Sequence, residues 1–139
     1  MPTNEPQLAV GASATATITV TEDDLADKVV LGPGDVFPAV YATSRMVALM
    51  EVAAARVLKP LLEPGENSVG VTVEIEHTAP TPPGLRVTAE ARFLGREGKL
   101  YLFEVVAHDA SGIIGKGRHK RAIVDPRRLE TRAAERRGK

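Results

Sequence analysis

The 139-residue sequence contains no cysteine and no tryptophan, and only 4% of its residues are aromatic. Without cysteine, the chain can form neither disulfides nor thiolate metal sites, and it has no cysteine nucleophile. The scarcity of aromatic side chains argues against a surface that stacks nucleic-acid bases. Lysine and arginine balance aspartate and glutamate at 18 each, so no overall electrostatic field favours a nucleic-acid partner.

Long apolar runs and a secretory leader are also missing. No segment approaches the ~18 apolar residues of a membrane helix, and the N-terminal "MPTNEPQLAV" lacks a basic start followed by an apolar stretch. We therefore expect a cytoplasmic protein without a membrane partner, and we predict no metal and no cofactor. The length fits a single domain over residues 1–139, in which residues 1–12 and 127–139 are flexible or peripheral.

The sequence does have one apolar helix and several alternating segments. The stretch "YATSRMVALMEVAAARVLKPLLEPG" predicts a helix that ends near Leu58, with Thr43 or Ser44 as its N-cap. Its apolar residues surround nearly the whole helix, which is typical of a buried helix. Period-two alternation predicts one strand before the helix and four after it, at residues 15–20, 68–77, 85–95, 99–109 and 112–124.

This order of elements predicts an α+β fold. No second apolar helix is available to cover a parallel sheet, so an antiparallel five-stranded sheet wrapped around one long buried helix is the economical arrangement. That arrangement is the hotdog fold. A single sheet covers only part of so apolar a helix, and we therefore expect a homodimer whose interface buries the rest. The tail from residue 125 is expected to be a short basic helix or a disordered end.

Three polar residues stand where the core pattern predicts apolar ones: Thr43, Glu51 and His77. Each has a structural explanation, because Thr43 can cap the helix, Glu51 can be exposed or pair with Arg56, and His77 can bind the backbone at a strand end. Each also suits chemistry, since a carboxylate and an imidazole transfer protons and a helix start offers free N–H groups to an oxyanion. Thr43 and Glu51 are separated by roughly 12 Å along the helix, so a substrate, His77 or a partner subunit has to bridge them.

The remaining histidines and basic residues carry weaker signals. His108 lies beside a predicted turn, and His119 lies among charged residues, so we expect both to be exposed. The basic residues of the last strand are interpreted as a solvated face, with binding of a phosphate-bearing substrate as the alternative. That group comprises Lys116, Arg118, Lys120 and Arg121.

Three stretches resemble the fluoroacetyl-CoA thioesterase family: "FPAVYATSRMVALMEVAA", "LEPGENSVG" and "HTAPTPPGLRVTAEA". The resemblance extends over residues 36–124. It implies a homodimeric hotdog thioesterase with a catalytic set of threonine, glutamate and histidine, roles that fall on Thr43, Glu51 and His77. It also implies substrate-binding positions at Phe37, Gly70 and Arg121.

One position departs from the family pattern. The fluoroacetyl-selective member has two phenylalanines in a lid over the acyl pocket; Phe37 matches one, but Gly34 stands at the other position. The resemblance therefore implies hydrolysis of a short acyl-CoA thioester and leaves fluoroacetyl selectivity open. The alternatives are a hotdog hydratase or dehydratase acting on acyl-CoA, and an acyl-CoA-binding module without catalysis. Glu51 is expected to act as nucleophile or as general base.

Overall fold

The computed structural model describes residues 8–138, which form one antiparallel sheet with a long helix against its inner face. In chain order, the strands and helices are β1 (Ser13–Thr19), α1 (Thr43–Leu58), β2 (Asn67–His77), β3 (Arg86–Glu97), β4 (Leu100–Asp109), β5 (Gly112–Val124) and α2 (Pro126–Glu135). The predicted five strands and long helix are thus confirmed, with boundaries that differ by only a few residues. After β1 the chain forms two short 3₁₀ turns, Glu22–Asp24 and Ala26–Lys28.

The strands are arranged in the order β1-β3-β4-β5-β2, so β1 and β2 are the two edges of the sheet. All four neighbouring pairs are antiparallel. The β2–β5 register shifts between Gly70 and Thr72, which leaves Val71 as the extra residue of a β-bulge. This bulge bends the edge strand close to the middle of α1.

The core lies between α1 and the inner face of the sheet. The helix contributes Met46, Leu49, Met50, Ala53, Ala54, Val57 and Leu58, and the central strands contribute Val87, Ala89, Ala91, Phe93, Phe103, Val105 and Ala107. Small alanines on β3 and on the helix let the two backbones approach closely, while the phenylalanines fill the space beside them. The alternation of these apolar residues with polar ones explains why β3 and β4 bury one face only.

The helix is not buried on every side within one chain. Val52 remains 43% exposed on α1, and Val71 and Val73 remain 50% and 44% exposed on the neighbouring edge strand β2. The sequence predicts a helix that is apolar on all sides, and the sheet of one chain covers only part of that apolar surface. We call these three exposed valines, one on α1 and two on β2, the valine edge.

The outer face of the sheet carries charged residues in a regular pattern. Glu74 on β2 faces Arg118 on β5, which faces Glu104 on β4, and Glu104 faces Arg92 on β3. Each charge therefore has an opposite charge on the neighbouring strand. A depression of about 740 Å³ lies over part of this face, lined in part by Glu74, Glu104 and Arg118.

The two ends of the described chain behave differently. Residues 8–12 are tied to β3, because Gly11 N–H donates to the Phe93 carbonyl and Phe93 N–H donates to the Ala12 carbonyl. The predicted flexibility of residues 1–7 concerns a part of the chain outside the described residues. At the other end, α2 is the predicted basic helix; Asp125 caps it, and most of its side chains are exposed. Within residues 8–138, no helix has the length and apolar character needed to span a membrane.

Candidate active site

Thr43 and His77 meet at the start of α1. The Thr43 hydroxyl and His77 Nδ1 are 2.7 Å apart, a short hydrogen bond between the first residue of the helix and the last residue of β2. When His77 carries its proton on Nε2, Nδ1 accepts from the hydroxyl, which is the arrangement of a hydroxyl paired with a base. We call these two residues the hydroxyl–imidazole pair.

The His77 imidazole is partly withdrawn from water. Its Nε2 atom is buried and has no hydrogen-bond partner among residues 8–138, and burial lowers the pKa of His77. Near neutral pH the ring is therefore uncharged and able to take up a proton.

The turn after β2 fixes where His77 lies. Thr78 N–H donates to the Ile114 carbonyl at 2.7 Å, and Tyr41 N–H, two residues before the helix, donates to the Thr81 carbonyl at 2.9 Å. The buried Thr81 hydroxyl in turn donates to the Asp109 carboxylate at 2.9 Å. The proline-rich turn therefore connects the end of β2, the start of α1 and the β4–β5 hairpin, and so holds Thr43 beside His77.

A cleft of about 350 Å³ opens at this point, lined by Ala26, Pro38, Val40, Tyr41, Thr43, His77, Thr78, Ala79 and Pro80. Its volume lies in the range of small-molecule sites. Burial, with the charge of Asp24, raises the pKa of Tyr41 to about 12, so this phenol keeps its proton at neutral pH. Among the side chains that line the cleft, the hydroxyl–imidazole pair is therefore the candidate for proton transfer.

Glu51 lies elsewhere on α1, in a cluster of its own. Its Oε1 atom is 3.2 Å from Nη1 of Arg121, a salt bridge in which the arginine side chain is 8% exposed and the glutamate side chain 39% exposed. Arg121 is anchored further by Ser68, whose hydroxyl accepts from Nε at 3.0 Å and whose carbonyl accepts from Nη2 at 2.9 Å. The possible partner Arg56 instead donates to the Thr15 carbonyl.

Gly70 leaves the space that this carboxylate occupies. A Cβ atom at position 70 would lie 2.5 Å from Glu51 Oε1 and 3.1 Å from His119 Cε1. A side chain there would push the flexible Glu51 carboxylate aside, so glycine matters here through close approach rather than through its backbone angle. We call Glu51, Ser68, Gly70, His119 and Arg121 the carboxylate cluster.

His119 is a functional candidate that the sequence interpretation missed. We expected it to be exposed, and this was wrong: it is 1% exposed, with Nδ1 2.8 Å from the Thr72 carbonyl and Nε2 3.2 Å from Arg121 Nη1. Burial lowers the pKa of His119, and the nearby Arg121 charge acts in the same direction. The signal was the alternation of β5, because Gly115, Gly117, His119 and Arg121 share its inner face.

This alternation also corrects the interpretation of the basic residues. Lys116, Arg118 and Lys120 project from the outer face, whereas Arg121 is buried on the inner face. The four therefore do not form one phosphate-binding patch.

Two further expectations concern the segment before and at the helix start. Thr43 is the first helical residue and not the N-cap, which is Ala42 and makes no side-chain cap; the Thr43 hydroxyl is therefore free to bind His77. Phe37 lies in the preceding loop, 48% exposed, next to Pro38 of the cleft wall. Its predicted contact with substrate stays a prediction.

Within one chain, then, the residues of the expected catalytic set fall into two places. Thr43 and His77 are in contact, while Glu51 lies about 12 Å further along the helix axis and is bonded to Arg121. Gly70 and Arg121, the two expected binding positions, accompany Glu51. Among residues 8–138, no group of three or more histidine, aspartate or glutamate side chains is arranged to hold a metal ion.

Comparison with known proteins gives a consistent result. A family model described as fluoroacetyl-CoA-specific thioesterase (FlK) matches residues 20–127. A fluoroacetyl-CoA thioesterase of Streptantibioticus cattleyicolor is 49% identical over 88 residues, a segment that spans 63% of this chain and 63% of that relative.

Solved structures extend the likeness over nearly the whole chain. A structure of the fluoroacetyl-CoA thioesterase FlK superposes with a TM-score of 0.88 at 36% identity, covering 94% of this chain and 98% of that one. A Thermus thermophilus hypothetical protein, described as a thioesterase superfamily member, superposes with a TM-score of 0.82 at 33% identity over 94% of this chain and 96% of its own. With the hotdog architecture already evident in the sheet and helix, these matches show that the chain belongs to the fluoroacetyl-CoA-specific thioesterase family.

Proposed function

We propose that this protein hydrolyses a short acyl-CoA thioester to the free acid and CoA. The observation that carries the proposal is the 2.7 Å hydrogen bond between Thr43 and His77 in a cleft at the start of α1. The relatives named as thioesterases favour hydrolysis over the hydration of acyl-CoA and over binding without turnover.

The start of α1 supplies the groups that suit a thioester carbonyl. The N–H groups of Thr43 and Ser44 precede the first helical hydrogen bonds, in which Arg45 and Met46 donate to the Ala42 carbonyl. Such N–H groups stabilise the negative charge that develops on a carbonyl oxygen during attack. The Thr43 hydroxyl lies at the same place and donates its single hydrogen to His77 Nδ1.

Glu51 activates the attack in one of two ways. As a general base, it takes a proton from water; the resulting hydroxide attacks the thioester carbon, the C–S bond breaks, and the departing thiolate takes a proton through His77. As a nucleophile, it attacks the carbon itself and expels the thiolate, and water then hydrolyses the mixed anhydride. Both routes consume one water and give the acid and CoA.

Two copies of the chain are needed to bring these groups together. Glu51 contacts Gly70 near the start of β2, whereas His77 is the last residue of β2, so one chain separates them along both α1 and β2. If two β2 edges meet antiparallel about a two-fold axis, the start of one strand lies beside the end of the other. Each site then combines the hydroxyl–imidazole pair of one subunit with the carboxylate cluster of the other.

The edge of the sheet supports this homodimer. Strand β2 pairs with β5 on one side only, and an unpaired edge strand is a template for pairing with another chain. The valine edge beside it gives the two copies apolar surface to bury. The same contact would cover the side of α1 that the sheet of one chain leaves exposed.

The activity is tested by measuring thiol release from acetyl-, fluoroacetyl-, malonyl- and longer acyl-CoA esters. Glu51→Gln and His77→Ala are each expected to lower kcat/KM by about 10²–10⁴-fold, the range for loss of a proton-transferring group. Glu104→Gln and His108→Ala, which change the same residue types on the outer face, serve as controls and should keep wild-type rates. Full hydrolysis by both site variants would refute the proposal.

The shared site has a test of its own. Glu51→Gln and His77→Ala chains, inactive alone, are unfolded together and refolded as a mixture. Random pairing gives heterodimers as half of the dimers, each with one intact site of two, so about a quarter of wild-type activity should return. A mixture that forms dimers and stays inactive would place each complete site within one chain.

The role of Glu51 is probed by one turnover in ¹⁸O-labelled water. Label in the Glu51 carboxylate after a single turnover supports the covalent route, with water attacking the glutamyl carbon of the anhydride. Label confined to the product acid means that water attacked the acyl carbon, either of the thioester or of the anhydride. Acyl selectivity is a separate question, because Gly34 leaves Phe37 as the single phenylalanine of the loop before α1. We expect hydrolysis of esters with small unfluorinated acyl groups in addition to hydrolysis of fluoroacetyl-CoA.

A further inference from the structure

His119 links the backbone of the edge strand to the arginine that holds Glu51. Its Nδ1 atom is 2.8 Å from the Thr72 carbonyl, directly after the β2 bulge, and its Nε2 atom is 3.2 Å from Arg121 Nη1. The same Nη1 nitrogen lies 3.2 Å from Glu51 Oε1. A continuous series of hydrogen bonds therefore runs from the β2 backbone to the carboxylate.

A single protonation state of His119 fits this series. A carbonyl oxygen only accepts and a guanidinium only donates, so Nδ1 must carry the proton and Nε2 must offer its lone pair. A doubly protonated ring would direct an N–H group at the N–H of Arg121. Both hydrogens of Nη1 are then used, one on His119 and one on Glu51.

The nitrogen atoms of the Arg121 guanidinium have different partners. Ser68 binds Nε and Nη2, which anchors the opposite side of the fork, while Nη1 faces Glu51 and His119. Because the guanidinium is planar, the two Ser68 bonds leave Nη1 only a rotation about the line through Nε and Nη2. A bond from His119 opposes this rotation, which matters because Glu51 is 39% exposed and has a flexible side chain. His119, 1% exposed and packed 6.5 Å from the Phe103 ring centre, is rigid enough to do so.

We infer that His119 is a positioning residue that acts through Arg121 to set the place of the Glu51 carboxylate. This inference rests on the proposed function, because Glu51 matters to catalysis only if the chain is a hydrolase. The competing explanation is that His119 merely fills the core beside Phe103. The two differ in what the ring must do: a core filler needs only volume, whereas a positioning residue needs an acceptor at Nε2.

The first experiment concerns the ring itself and needs no activity. In protein labelled with ¹⁵N-histidine, long-range ¹H–¹⁵N spectra near neutral pH distinguish the two neutral tautomers and the cation. We expect the His119 signals to be those of the neutral Nδ1–H tautomer. In the Arg121→Met variant they should shift, since Nε2 loses its donor. A cation or an Nε2–H tautomer in the wild-type protein would overturn the inference.

The second experiment compares two replacements of the same residue. His119→Leu keeps apolar volume without an acceptor and should lower kcat by up to about 10²-fold, the cost of misplacing a catalytic group, with little change in KM. His119→Gln offers a carbonyl oxygen to Arg121 and should recover most of kcat. The thermal midpoints of both variants are measured beside the rates. Equal kcat for the two variants would mean that volume alone matters and would overturn the inference.

Failure of this inference is distinguishable from failure of the proposed function. If Glu51→Gln keeps full activity, the hydrolase mechanism is wrong, and the spectra still decide the hydrogen-bond series. If Glu51→Gln is inactive while His119→Leu keeps wild-type kcat, the hydrolase proposal stands and the positioning role is wrong. A double variant sharpens the result: in an Arg121→Met background, His119→Leu should have little further effect on kcat, because the residue through which it acts is gone.

Discussion

The two ends of the helix segment between Thr43 and Glu51 differ in how they hold a reactive group. At the hydroxyl–imidazole pair, two uncharged partners share one hydrogen bond beside an open cleft. At the carboxylate cluster, a charged pair is fixed by a buried arginine with several partners. The first arrangement can exchange a hydrogen-bond partner with a ligand, whereas the second presents a charge whose position is set before any ligand arrives.

Outside the proposed catalytic residues, the largest expected effect comes from filling the space at Gly70. In Gly70→Ala, the new Cβ would lie 2.5 Å from Glu51 Oε1, and the flexible carboxylate would swing away from Arg121. We expect kcat to fall on the order of 10²-fold. The free energy of unfolding should change little. Gly32→Ala is the control, because its new Cβ would meet nothing closer than 3.9 Å. Wild-type kcat in Gly70→Ala would show that the cluster tolerates displacement.

The carboxylate cluster shows why part of the site escaped prediction from sequence. Thr43, Glu51 and His77 could be named as candidates because each interrupts an apolar pattern, and the family resemblance covers all three. His119 could not be distinguished by composition, since its neighbours in sequence are charged; only the parity of β5 assigns it to the inner face with Arg121. The face of the sheet on which each β5 residue lies can be predicted from the sequence once the strand boundaries are known. The bulge in β2 that brings Thr72 to His119 cannot be predicted in this way.

The fold itself was more accessible. The alternation of β3 and β4 and the density of alanine, leucine and methionine in α1 have direct counterparts in the buried residues. The N-cap was assigned wrongly because threonine is a frequent capping residue, whereas here the Thr43 hydroxyl binds His77 from another element. Local propensity cannot register a partner that lies 34 positions away in the chain.

An effect of intermediate size is expected from changing Thr81, which lies in the turn that holds Thr43 beside His77. Thr81→Val removes the hydroxyl that donates to the buried Asp109 carboxylate, and we expect it to lower the free energy of unfolding by about 1–3 kcal/mol, measured by urea denaturation. Activity should fall with it, because the Thr81 segment also positions Tyr41 before the helix. Thr17→Val breaks the exposed Thr17–Thr88 hydrogen bond and should change stability by less than about 0.5 kcal/mol. Equal changes in the free energy of unfolding for Thr81→Val and Thr17→Val would contradict the supporting role of the Thr81 hydroxyl.

The smallest effect is expected from pH, and it compares the two histidines directly. Burial lowers the pKa of both His77 and His119, so below an unfolded pKa near ~6.5 the unfolded chain binds protons that the folded chain does not. The free energy of unfolding should therefore be highest above that pKa and decline as pH falls through the folded values. Urea denaturation between about pH 7.5 and pH 5 measures the slope, with the pH limits chosen around that pKa. His119→Gln should flatten it more than His77→Gln, because His119 is the more deeply buried; the reverse order would contradict the burial argument.

The charged residues on the outer face of the sheet have a consequence for how the strands find their neighbours. Strand β5 presents Lys116, Arg118 and Lys120 to solvent, while β2 presents Glu74 and Glu76 on one flank and β4 presents Glu104 on the other. Backbone pairing alone permits several strand orders, but β5 between the glutamates of β2 and β4 is favoured electrostatically over β5 beside Arg92 of β3. A surface that takes no part in the chemistry thereby helps to select a single strand order during folding, including the placement of β2 at the edge where the proposed site is completed.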